Sequence, residues 1–108
     1  MKDSRLNIKL NYLYRDASNY KQYGSVIFSN INNLSILEID DIIRNQLIEE
    51  ISFNHTEFGI TSLFFENKNE DDHDWHEYEN LEMTDENPTD KRTIEEFLKQ
   101  LESTRDVL

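Results

Sequence analysis

Leu6-Asn7-Ile8-Lys9-Leu10-Asn11-Tyr12-Leu13-Tyr14 decides the architecture. Leu6, Ile8, Leu10, Tyr12 and Tyr14 fall on every second position, with Asn7, Lys9 and Asn11 between them. Side chains alternate across a strand, so this spacing predicts a strand with one buried face. Arg15-Asp16-Ala17-Ser18-Asn19 follows as polar turn material. The run from Tyr20 to Ser29, with Tyr23, Val26, Ile27 and Phe28, then returns antiparallel. A connection of this length suits the longer kind of hairpin. Gly24, alone inside the second run, marks a bulge or a close approach to the backbone.

Beyond the 6–29 hairpin the period changes. Ser35 and Glu38 have the spacing of a capping box, and Leu34 with Ile39 that of a hydrophobic staple. Ile36, Ile39, Ile43 and Leu47, with Ile42 beside them, repeat at helical spacing, so an amphipathic helix is expected near 35–48. Asp40 and Arg44 form an i,i+4 pair assigned to its wet side. Ile51 and Phe53 can open a strand, Gly59 marks a turn, and Ile60-Thr61-Ser62-Leu63-Phe64-Phe65 has strand composition. Trp75 to Met83 reads as a further strand. Tyr78, Leu81 and Met83 do not share one parity there, which a bulge after Tyr78 repairs. Thr93 and Glu96 form a second capping box, and Ile94, Phe97, Leu98 and Leu101 the face of a helix near 93–102. The tail after Glu102 is expected to fray. The reading is an α+β domain spanning residues 1–108: an antiparallel sheet in β-β-α-β-β-α order with two amphipathic helices packed on it.

Charge is concentrated in one place. The stretch 66–90 holds eleven acidic residues (Glu66, Glu70, Asp71, Asp72, Asp74, Glu77, Glu79, Glu82, Asp85, Glu86, Asp90) and one base, Lys68. It therefore carries 1 − 11 = −10 of a formal −12 for the 108-residue chain. The only Trp lies inside it, as do two of the three His. A chain this acidic is repelled by anionic lipid and by naked nucleic acid, which leaves basic protein surfaces and cations as partners. There is no cysteine, hence no disulfide and no thiolate metal site. No signal peptide or membrane-spanning run is read, and a cytoplasmic location is expected.

This stretch offers residues for two kinds of chemistry. Asp71, His73 and His76 supply plausible metal ligands, with Asp72, Asp74 and Glu77 nearby. On a strand, however, positions 73 and 76 point to opposite faces, and the zinc-protease pattern His-Glu-x-x-His is absent. Asn67-x-Asn69-x-Asp71 opens like a calcium loop, but Asp72 stands where Gly is needed and Tyr78 where the bidentate Glu belongs. Catalysis by paired carboxylates has one suggestive candidate, Glu77 between Trp75 and Tyr78. His55 beside Glu57 lacks a nucleophile. The bland explanation is preferred for each: adventitious cations, a chance neighbour and a partly buried histidine. No enzyme activity and no cofactor are expected.

The first 35 residues carry Lys2, Arg5, Lys9, Arg15 and Lys21 against two acids, a net of 5 − 2 = +3. These bases are read as answering the acidic segment, within the chain or between copies, rather than as a nucleic-acid patch. The acidic segment is read as a recognition surface, with a merely solvated loop as the plain alternative. Asp74, Glu77, Glu79 and Glu82 would supply charge, and Trp75 and Tyr78 contact area. On a regular strand Glu77 and Glu79 would share one face about 6.7 Å apart. Duplex DNA has one charge per about 1.7 Å of axis, so a single strand of carboxylates is too sparse to imitate it alone.

The runs 14–21 (YRDASNYK), 24–30 (GSVIFSN), 73–79 (HDWHEYE) and 84–89 (TDENPT) resemble a family of short uncharacterised bacterial proteins. The resemblance covers most of the chain and implies a bacterial cytosolic or mobile-element origin, but no role for any residue. The expected function is an acidic protein-binding module that engages the basic surface of another protein. An inhibitor of a nucleic-acid enzyme, anti-defence or antitoxin-like, is its concrete version. The alternatives are a divalent-metal hydrolase using Asp71, His73 and His76, and a self-associating accessory protein.

Overall fold

The computed structural model describes residues 6–66, 68–70 and 72–106. β1 (Asn7–Arg15) and β2 (Lys21–Phe28) form the hairpin, and α1 (Ile36–Arg44) follows. A two-residue strand β3 (Ser52–Phe53) and a single-turn helix α2 (His55–Phe58) come next, then β4 (His76–Thr84) and α3 (Ile94–Asp106). The sheet is antiparallel in the order β2-β1-β4-β3. The class is α+β, as the alternating pattern requires, although the element order differs from the expected one.

β1 lies between β2 and β4, and its even positions explain why. Ile8, Leu10, Tyr12 and Tyr14 are all buried, and they meet Val26 and Phe28 from β2 and Tyr78 and Leu81 from β4. Ile39 and Ile43 of α1 and Ile94, Phe97, Leu98 and Leu101 of α3 close this face. The Phe28 and Phe97 rings stack with centroids 4.4 Å apart. Arg92 seals the edge of that stack: it pairs with Asp90, donates to the Phe58 and Gly59 carbonyls, and lies over both rings. The bulge expected after Tyr78 is present. Asn11 pairs with Asn80 and Tyr12 with Tyr78, so Glu79 is the extra residue and β4 keeps apolar side chains inward on both sides of it.

Both capping boxes form, in different degrees. Thr93 and Glu96 exchange two bonds, at 2.8 and 3.1 Å. At α1 the Ser35 hydroxyl accepts from the Glu38 N–H at 3.2 Å and donates to the Glu38 carboxylate at 3.3 Å, in place of the reciprocal bond from the Ser35 amide. α1 ends at Arg44, short of 48, and α3 continues past Glu102 to Asp106 rather than ending there. Asp40 and Arg44 form the expected i,i+4 pair at 3.0 Å, partly exposed rather than fully on the wet side. Asp40 accepts from the Tyr78 hydroxyl at 2.5 Å and Arg44 lies over the Tyr78 ring, so the pair fastens α1 to β4.

The main departure is 60–65, expected as a strand and found outside the sheet. Part of its backbone is satisfied without a ladder. Thr61 O accepts from the Tyr12 hydroxyl, Leu63 N–H donates to the His76 ring, and Ile60 N–H bonds His55 O. Leu63 packs over β2 where Gly24 leaves room, and a Cβ on Gly24 would stand 2.7 Å from Leu63 Cδ2. The glycine thus marks a close approach, by a side chain. Gly59 ends α2 in the left-handed conformation, φ 65°.

Between α1 and β3 the chain turns at Ile48-Glu49-Glu50-Ile51, closed by Ile51 N–H to Ile48 O at 3.1 Å. Both central residues are left-handed, at φ 55° and 63°. Such turns favour Asn-Gly, and each non-glycine residue there costs about 1–2 kcal/mol. The double substitution Glu49→Asn, Glu50→Gly should therefore raise the unfolding free energy in urea by about 1–2 kcal/mol. Unchanged or lower stability would show that the turn is not strained.

Candidate functional site

The acidic segment divides into carboxylates held by the fold and carboxylates left at the surface. Asp72 reaches back to the hairpin turn and accepts from the amides of Ala17 (3.0 Å) and Asn69 (3.2 Å), bonds that hold its carboxyl below the usual range. Asp74 pairs with Lys68 at 2.9 Å, and that ammonium likewise lowers its carboxyl. Glu77 takes a two-point bond from Arg15, at 2.8 and 3.2 Å, which lowers it too. Lys9 does the same for Glu86, and Arg92 for Asp90. The N-terminal bases Lys9 and Arg15 thus answer the acidic segment within the chain. Glu82 accepts from Asn11 Nδ2 at 2.7 Å yet stays exposed, and Glu79 is exposed at the bulge.

The residues expected at a partner surface are accordingly split. Asp74, Trp75, Glu79 and Glu82 are exposed. Trp75 is 43% exposed and lines a recess of about 330 Å³ with Asn54, His73 and Asp74. Tyr78 is turned into the core against Asp40 and offers a partner no contact area. Burial and that bond push its phenol well above the ordinary range. Glu77 is half-buried against Arg15. The bulge also breaks the even row of charge expected from Glu77 to Glu79. Below it Glu77 shares the outward face with Leu13 and Arg15, and above it Asn80 and Glu82 take over opposite Asn11 and Lys9.

The histidines have structural surroundings. His76 is fully buried, with Tyr12, Tyr14, Phe53, His55 and Phe64 around its ring. Its Nε2 accepts from Leu63 N–H at 2.9 Å, which places the proton on Nδ1, facing Asp74 O at 3.3 Å. Neither nitrogen has a lone pair left for a metal in this arrangement. His73 Nδ1 accepts from Trp75 N–H, and its carbonyl accepts from the Tyr14 hydroxyl. Asp71 lies outside the described residues. Among the described residues no three His, Cys, Asp or Glu side chains come together in a way that would hold a metal ion, and no helix is long and apolar enough to cross a membrane. Sequence reasoning missed His76 as the organiser of this corner; its one signal was a histidine at an inward position of a strand.

Comparison with protein-family models, with curated proteins and with solved structures finds no match.

Burial lowers the His76 pKa from 6.5 to about 4. Between these values the unfolded chain takes up a proton that the folded one refuses, so stability falls as pH drops from about 6.5 to about 4. The carboxylates described above act in the same sense but at lower pH, below about 4.5. Urea unfolding should therefore show a loss on the order of 1–2 kcal/mol between pH 6.5 and 5. His76→Gln should flatten that interval while lowering stability at pH 7. An equally steep decline in the variant would assign the effect to other groups.

Proposed function

We propose that this chain is an acidic protein-binding module that engages a basic surface of another protein. The observation that carries the reading is Trp75: an exposed indole at the lip of a recess, beside the exposed Asp74 carboxylate, which already holds one ammonium, that of Lys68, in the segment with most of the negative charge. An exposed aromatic beside a carboxylate suits a Lys or Arg side chain, which gains from both the ring face and the charge. Glu79 and Glu82 extend the charge along β4, where rim carboxylates accelerate encounter with a basic partner. The concrete version is an inhibitor that covers the nucleic-acid groove of an enzyme. Glu77 contributes little to it, because Arg15 already neutralises it, and the remaining row is too sparse to copy a duplex by itself.

Immobilised protein should retain a basic partner from a bacterial lysate at low salt and release it by about 0.5 M salt, where screening acts within a few ångströms. The variant Asp74→Asn, Trp75→Ala, Glu79→Gln should lose at least about tenfold in affinity for that partner, and the natural chain should displace nucleic acid from it. Retention that ignores both salt and the substitutions would overturn the reading.

A further inference from the structure

The two long edges of the sheet are treated differently. On the β2 side the edge is closed at its Phe28 end: Ile27 N–H donates to Thr89 Oγ1, and Ile27 O accepts from the amides of Thr89 and Asp90. Lys21, a common guard of strand edges, stands at the other end. On the far side β3 covers only His76 and Glu77 of β4, with one further bond from Tyr78 N–H to Ile51 O. From Glu79 to Thr84 no described segment pairs with β4 on that side. There is no Lys or Pro in that stretch to guard it.

The register says which groups are presented. Because Ile27 turns its N–H and C=O away from β1, its partner Lys9 must aim its own at β4, so Lys9 and Glu82 exchange ladder bonds. Leu81 and Met83 then point their N–H and C=O outward, in phase with Tyr78 beyond the bulge. The side chains beside this edge are sorted as well. Met83 is inward-facing yet 37% exposed, and Glu82 lies on the outward face. Leu37 is 82% exposed on α1 and shares a helix face with Asp40 and Arg44, both of which touch Tyr78. It therefore lies on the flank of α1 that carries the contacts to Tyr78 of β4.

We infer that the Glu79–Thr84 edge of β4 receives an extended segment of the partner protein, which adds to the sheet as a strand in line with β3. Its sequence alternates. Large apolar side chains face inward onto Met83 and Leu37, and Lys or Arg side chains face outward onto Glu79 and Glu82. This inference rests on the acidic-binding reading and names the form in which the basic partner presents itself.

The probe is a synthetic capped peptide, Lys-Val-Lys-Ile-Arg-Val-Lys, compared at low salt with a block-scrambled peptide of the same composition, Lys-Lys-Arg-Lys-Val-Ile-Val. The alternating peptide should bind at least about tenfold more tightly and slow hydrogen exchange at the Leu81 and Met83 amides. Met83→Pro removes one outward donor and leaves the ladder to β1 intact. Leu37→Asp changes an exposed side chain, so the test survives if the proline variant fails to fold. Each should abolish the preference for the alternating peptide. Equal, salt-sensitive binding of both peptides would overturn the strand-addition inference and leave the acidic-binding reading standing. No binding of either peptide at low salt would overturn both. Self-association of the chain that Met83→Pro abolishes would assign the edge to a second copy, against the partner segment.

Discussion

The structure depends on one register constraint: β4 must bury His76 and Tyr78 on one side of Glu79 and Leu81 on the other, although these positions do not share parity. A regular strand would turn one set out to water. The extra residue at Glu79 resolves the conflict and fixes what lies around it. Tyr78 falls against Asp40, which sets α1, and His76 falls where its ring can receive Leu63 N–H, which sets the 60–65 segment over β2. Because β1 is paired along its length on both sides, a one-residue slip in β4 would disturb every layer at once.

Negative charge serves two ends in this molecule. Among the described acids of the 66–90 stretch, five are lowered in pKa by partners that belong to the fold: Asp72 by turn amides, Asp74, Glu77, Glu86 and Asp90 by bases. Surface pairs of this kind contribute modestly to stability, typically up to about 1 kcal/mol. Their larger effect here is positional, since Asp72 ties the approach to β4 onto the hairpin turn and Glu77 ties β4 to β1. What remains for recognition is smaller than the composition implies, and it collects around Trp75, Glu79 and Glu82, with Asp74 exposed but already paired to Lys68.

How much of this was legible in the sequence follows from how local each cause is. The alternation at Leu6–Tyr14 declared β1, Thr93 and Glu96 declared the start of α3, and the parity conflict after Tyr78 declared the bulge, because each signal lies within a few residues of its effect. The segment 60–65 misled because its composition suits a strand while its backbone partners are side chains far away in sequence, Tyr12 and His76. The burial of Tyr78 was hidden for a similar reason. Its hydroxyl partner, Asp40, comes from a helix 38 positions earlier. Within a charged run, nothing in the neighbourhood of an aromatic residue announces whether it faces solvent or core.

The central place of β1 has a consequence for the order in which the chain can assemble. β1 and β2 meet across a short turn, but Arg15 and Glu77 are separated by 62 positions. Closing that loop costs more entropy than closing the hairpin and is slower. At about 5–20 residues per second of synthesis, the hairpin exists for several seconds before β4 emerges. Through that interval the second edge of β1 is unpaired, and α3 is not yet there to help α1 cover Ile8, Leu10 and Tyr12. Asn7, Lys9, Asn11 and Arg15, which later bond to β4 and its flanking turn, are polar for the whole of that wait. They keep the other face of the nascent hairpin wetted until its partner strand arrives.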